Sequence, residues 1–191
     1  PIKSSAAQMC IRDSDARMNG CELPVVINSG SGNQGLTVSV PLIVYAEREH
    51  LDKEKLYRAL VISNLTAIHL KTEIGRLSAF CGAVSAGAAC GAGLAYLKDA
   101  SEEVMNHTIV NALAITSGII CDGAKASCAA KIAVSVEAGI LGYDMYMNGQ
   151  QFYGGDGIIS KGIENTIHNI GVLGSQGMAS TDQEIIKIMC E

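Results

Sequence analysis

From Ala79 to Leu97 the chain carries no charged residue, and its side chains are mostly those of Gly, Ala, Ser and Cys. A run of that length raises the question of a membrane span. Its small residues are only weakly hydrophobic, and it has no aromatic belt beyond Tyr96, so a helix at the centre of a bundle is the simpler expectation. Only 4% of all residues are aromatic and none is Trp. The core must therefore be built from small and aliphatic side chains that let helices approach closely. With 48% hydrophobic and 17% charged residues, 191 residues suffice for a substantial core. The expectation is an all-α fold: a single helical domain over 1–191, a packed bundle of about seven or eight helices with Gly/Ala-rich members buried.

The net charge of −5, with Lys and Arg scattered, leaves no basic stripe for a phosphate backbone, so no nucleic-acid partner and no membrane partner is expected. Seven cysteines without a visible signal peptide point to a reducing cytoplasm rather than to disulfide staples. The first residue is Pro1 rather than Met, which leads us to expect a fragment or processed half of a longer protein.

Along the chain, helical signals run to Met18 and stop at Asn19-Gly20, with Pro24 in an extended link. Gln34 to Glu49 reads as a buried helix that Pro41 should kink or restart. Asp52 caps a helix from Lys53 to Lys71, and Ile74 to Leu97 continues as one helix or a broken pair. Ser101 opens a helix to Ser117, and another is expected from Ala124 to Tyr146. Asn148 to Gly157 reads as a glycine-rich loop and candidate flap. Helices over 159–173 and 181–189 close the chain, the last marked by a Thr181-x-x-Glu184 capping box.

Chemistry is concentrated in the cysteines and in one glycine-rich loop. Cys121 and Cys128 are seven residues apart, about two helical turns with an offset of roughly 20°, so they can share a face. Cys81 and Cys90 fall on opposite sides of one helix, so at most one of them joins that face. Three thiolates from separate elements suit an iron-sulfur cluster that keeps one iron open. Cysteine serves equally as a small buried hydrophobe, and without a CxxC pair structural zinc is poorly supported. The loop Ser29-Gly30-Ser31-Gly32-Asn33-Gln34-Gly35 offers backbone N–H groups to a carboxylate or phosphate at a helix N-terminus, or simply turns the chain. It lacks the P-loop ending and the surroundings of a dinucleotide fingerprint. Lys125 stands where it could receive an anionic substrate. His50, His69, His107 and His168 show no zinc-hydrolase spacing, and no G-x-S-x-G elbow is present.

Four segments taken in order carry a resemblance: Ser14-Asp15-Ala16-Arg17-Met18, Asn28 to Gly35, Gly75-Arg76-Leu77-Ser78-Ala79-Phe80-Cys81-Gly82, and Cys121-Asp122-Gly123-Ala124-Lys125-Ala126-Ser127-Cys128. Together they resemble the carboxy-terminal half of the L-cysteine desulfidase family, which is related to the alpha chain of iron-sulfur-dependent L-serine dehydratases. The resemblance implies an all-helical fold and a 4Fe-4S cluster held at the matching positions Cys81, Cys121 and Cys128, choosing Cys81 over Cys90. It also implies β-elimination without pyridoxal phosphate, converting L-cysteine to pyruvate, ammonia and sulfide, with L-serine as the alternative substrate. Ser29, Gly30, Ser31, Gly32, Asn33, Gln34 and Lys125 would then bind the small amino-acid substrate. The family's catalytic base lies in the amino-terminal half, so this chain would need that half, or a partner subunit, for activity. A homo-oligomer is compatible with this. The competing expectations are a non-catalytic helical ligand-binding or assembly module and, more distantly, a zinc hydrolase.

Overall fold

The computed structural model describes residues 2–75 and 77–191, with side chains from Gln8 onward. Pro1 and Arg76, the latter part of the Gly75 to Gly82 motif, lie outside the described residues. Eight α-helices are found among the described residues: α1 (Ile2–Met18), α2 (Gly32–Arg48), α3 (Lys53–Ile74), α4 (Gly82–Leu97), α5 (Glu102–Thr116), α6 (Ser127–Met147), α7 (Ile163–Val172) and α8 (Ala179–Cys190). A π-helical turn, Leu173–Gly177, joins the last two. No strand forms among the described residues beyond two isolated bridges. The all-α expectation holds.

The uncharged stretch becomes α4, the axis of the bundle, packed against α2, α3, α5 and α6. Its glycines allow this. A methyl group at Gly91 would stand 2.8 Å from Gly139 Cα on α6, and one at Gly87 would run into the backbone of Ser135. The two backbones thus meet with no side chain between them, a contact that only glycine permits. No described helix is long and apolar enough to cross a membrane.

Local signals placed some boundaries well. Asp52 Oδ2 accepts from the N–H groups of Glu54 and Lys55, and Ser101 Oγ accepts from Val104 N–H, so both caps close their helices as expected. Other boundaries moved. Pro41 lies inside a continuous α2, neither ending nor restarting it. Ile74 to Leu97 is neither one helix nor a broken pair: Ile74 ends α3, and the single helix α4 starts only at Gly82. Thr181 and Glu184 fall within α8, which starts at Ala179, so they form no capping box; Glu184 pairs with Lys187 instead. The Asn148–Gly157 loop is tied down by Asn111, whose Oδ1 accepts from Phe152 N–H at 3.1 Å and whose Nδ2 donates to Gly142 O at 3.0 Å. No residue of it lines the cysteine cavity described next.

Candidate functional site

The break between α3 and α4 builds the site. Phe80 pairs with Ile120 in an antiparallel bridge, flanked by Cys81 N–H donating to Ile119 O at 3.1 Å and Cys121 N–H donating to Ala79 O at 2.6 Å. Alternation along the paired segments puts Cys81 and Cys121 on one side, away from Phe80 and Ile120. Ser78 fixes the approach: its hydroxyl donates to Gly174 O in the π-helical turn and accepts from Phe80 N–H. Lys131 fixes the other strand by bonding both Ile120 O, at 3.0 Å, and the Asp122 carboxylate.

The two thiols are hydrogen-bonded to each other. Donation from Cys81 lowers Cys121 to about 6 against the opposing effect of burial, and Gly123 N–H and the charges of Lys131 and Lys71 help. The same bond, together with burial, raises Cys81 and keeps it protonated. Cys128, in the first turn of α6, is turned toward its own loop: its thiol contacts Gly123 O at 3.4 Å, and Lys125 N–H points at its sulfur at 3.5 Å. Cys81 and Cys121 are thus coupled to each other, whereas the hydrogen bonds of the Cys128 thiol are with its own loop. Among the described residues, no three His, Cys, Asp or Glu side chains are gathered as a metal site.

All three cysteines face one cavity of about 380 Å³, whose other walls include Ser29, Gly30, Ser31, Asn33 and Gln34. Gly32 starts α2 behind this wall and packs against the Arg17 guanidinium. Ser29 and Gly30 have positive φ, which turns the chain sharply into α2. Gly35 and Gly82 allow close contact: a methyl group on the first would strike Val26 O, and one on the second would lie 2.6 Å from Gln34 Cδ. The N-terminal residues of α2, α4 and α6 (Ser31, Cys81 and Cys128) all reach the cavity, and no side-chain oxygen caps any of these helices. At α4 and α6 the N–H groups of Val84, Cys128 and Ala129 are paired with Cys81 O, Lys125 O and Ala126 O, so what the three helix ends bring to the cavity is the partial positive charge of their dipoles.

Lys125 is exposed and does not line the cavity, although its neighbours Gly123 and Ala124 do. Cys90 lies wholly buried in the core, away from the site. None of the four histidines lines the cavity. Sequence reasoning gave no role to Lys71, which is only 5% exposed. Its ammonium lines the cavity without a hydrogen bond or ion pair among the described residues; burial lowers its pKa, while the thiols of Cys121 and Cys81 and the Asp182 carboxylate pull it back up. The signal was present, because Lys71 shares a helical face with the buried Ala67, Leu70 and Ile74. Arg17, also on the wall, donates to Asn33 Oδ1 at 2.9 Å and orients that amide.

This is a helical domain that gathers thiols, buried cationic charge and helix N-termini around one cavity. The chain belongs to the serine dehydratase alpha chain family, whose profile matches residues 4–187. It is 65% identical over 188 residues to a UPF0597 protein of Desulfitobacterium hafniense, covering 98% of this chain and 44% of that protein. UPF0597 proteins of Lachnoclostridium phytofermentans, 55% identical over 98% of this chain and 45% of theirs, and of Finegoldia magna, 53% identical over 100% and 46%, are similar in the same way. The chain thus spans less than half the length of these relatives. No solved structure matches it.

Proposed function

We propose that this chain is the cluster-binding part of a pyridoxal-independent β-elimination lyase that converts L-cysteine to pyruvate, ammonia and sulfide. L-Serine is the alternative substrate, in keeping with the description of the matching family. The observation that carries the reading is that Cys81, Cys121 and Cys128, from three separate segments, line the same cavity as the Ser29 to Gln34 turn.

The residues fit a 4Fe-4S cluster by their chemistry: soft sulfur donors, one already held near thiolate by its neighbour, with Lys71 and Lys131 nearby to offset added negative charge. Cys81, Cys121 and Cys128 would hold it, the last after giving up its contact with Gly123 O. With one iron free of cysteine, the cluster would supply Lewis acidity toward the departing thiol or hydroxyl. This chain's own residues do the rest of the binding. Lys71 and the N-terminus of α2 hold the substrate carboxylate, with Ser29 and Ser31 on the same wall. The carbonyl oxygen of the Gln34 side chain is buried without a partner among the described residues, an arrangement that costs about 1–3 kcal/mol until a donor arrives. A substrate ammonium bound at this wall would supply one.

Among the described residues no histidine or carboxylate lines the cavity to take the α-proton, in keeping with a base in the part of the longer protein outside this chain. The chain by itself is therefore expected to be inactive or nearly so. The test is anaerobic quantification of iron and acid-labile sulfide on the full-length parent, with pyruvate measured from L-cysteine and L-serine. A cluster-loaded protein that turns over neither amino acid would overturn the reading, as would substantial turnover by the chain alone.

A further inference from the structure

Helix α3 is apolar on two opposite sides, and only one of them is covered. Ala59, Ser63, Ala67, Leu70 and Ile74 face the bundle and are buried. On the other side Tyr57 is 57% exposed, Val61 56%, Leu65 60% and Ile68 46%. At 100° per residue these four fall within an arc of about 80°, a continuous ridge along the helix. A helix that is hydrophobic all round is normally buried all round.

The ridge does not stand alone. Leu23, Val26 and Ile27 are exposed in the segment before α2, and Asn28 holds that segment to α3 by donating from Nδ2 to Asn64 O at 3.3 Å and Oδ1 at 2.9 Å. Beyond the C-terminus of α3, Leu77 is 94% exposed and lines the cysteine cavity. Exposed apolar side chains therefore stand on the α3 ridge, in the adjoining Leu23 to Ile27 segment and at the mouth of the candidate site, with the exposed polar residues Thr72 and Glu73 between Ile68 and Leu77. Exposed apolar surface gathered on one helix side and its neighbouring segment marks an interface.

We infer that the part of the parent protein outside these residues docks on the Tyr57–Val61–Leu65–Ile68 ridge and the Leu23 to Ile27 segment, and extends over Leu77 to close the cavity. The occupant is argued from length: the chain spans only 44% to 46% of its UPF0597 relatives, so more than half of each relative is available to cover this face. The exposure of Leu77, at 94%, beyond the C-terminus of the same helix is the second argument, since a large apolar side chain there also calls for a cover. The inference rests on the longer parent assumed above but not on its chemistry.

Hydroxyl-radical oxidation of the full-length parent, read by mass spectrometry, tests it. Docking predicts that Tyr57 and Leu65 oxidise at least about tenfold more slowly in the folded protein than in urea, as at the dry centre of an interface. Their exposure of 57% and 60% by itself gives a slowing of only about twofold, and that result would overturn the inference. Protection that fades on dilution would assign the face to a second copy and also overturn it. A full-length Leu65→Asp variant with unchanged helical circular dichroism should regain oxidation of Tyr57; continued protection there counts against docking on this ridge. Protection without pyruvate formation would leave the interface standing and remove the lyase reading.

Discussion

The seam between α4 and α6 and the wall of the cysteine cavity are both rich in small residues, with Arg17, Asn33, Gln34 and Lys71 added at the cavity, yet they have opposite properties. In the seam these residues lie in mid-helix, where every N–H is used within its own helix, and their smallness only lets backbones touch. Nearby, Cys10 and Cys90 are fully buried and burial raises both thiols, Cys10 to about 12. At the cavity, Ser31, Cys81 and Cys128 lie at helix N-termini, where the positive ends of the helix dipoles and the cationic side chains of Lys131 and Lys71 are close. Position relative to a helix end, more than composition, separates a packing cysteine from a chemically poised one.

The sharpest way to break this comparison is to crowd the seam. Gly91→Leu should cost about 3 kcal/mol or more, or prevent folding, as measured by urea denaturation. Gly118→Ala, at a position with nothing within 4 Å, should stay within about 0.5 kcal/mol. Next come the thiols. Cys121→Ala in the full-length protein should reduce bound iron and sulfide to background, whereas Cys90→Ala should keep both and instead lose about 1 kcal/mol of stability to the small void it leaves. Equal iron in both variants would erase the distinction between the two regions. Lys71→Met should raise KM for the amino acid about thirtyfold, roughly 2 kcal/mol, with little loss of fold, because the substitution removes a buried ammonium that has no ion-pair partner among the described residues.

The last test is a pH dependence beside the seam. The Cys10 thiol is raised from 9.0 to about 12 in the folded chain, so the folded state binds more protons than the unfolded state between those values. Its contribution is fully present below pH 9 and is lost as pH rises toward 12, with a slope of about 1.4 kcal/mol per pH unit. Urea titrations from pH 8 upward should show Cys10→Ala losing stability less steeply than the parent sequence by up to about that slope.

Much of the fold was legible because its signals are local. The Asp52 and Ser101 caps each act within three residues, and the small-residue run of α4 declares its own burial. The site was legible only in part, because its geometry is not local. Cys121 and Cys128 were expected to share a helical face, but Cys121 precedes α6 altogether and reaches the cavity through the Phe80–Ile120 bridge. No periodicity encodes that pairing. Thr181 and Glu184 had the right spacing for a capping box, but the π-helical turn and Met178 start α8 two residues earlier. Lys71 was overlooked because a lysine is read as solvated by default, although its place on the Ala67–Ile74 face said otherwise.

The Phe80–Ile120 bridge also sets an order of events. Its two halves are separated in the chain by the whole of α4 and α5, so Cys81 and Cys121 become neighbours only after both helices have docked. A nascent polypeptide emerging from the ribosome presents the two sulfurs far apart, with no preformed chelate to capture an inorganic guest. A cluster held by both sulfurs, as proposed above, would therefore be loaded only after the chain has folded.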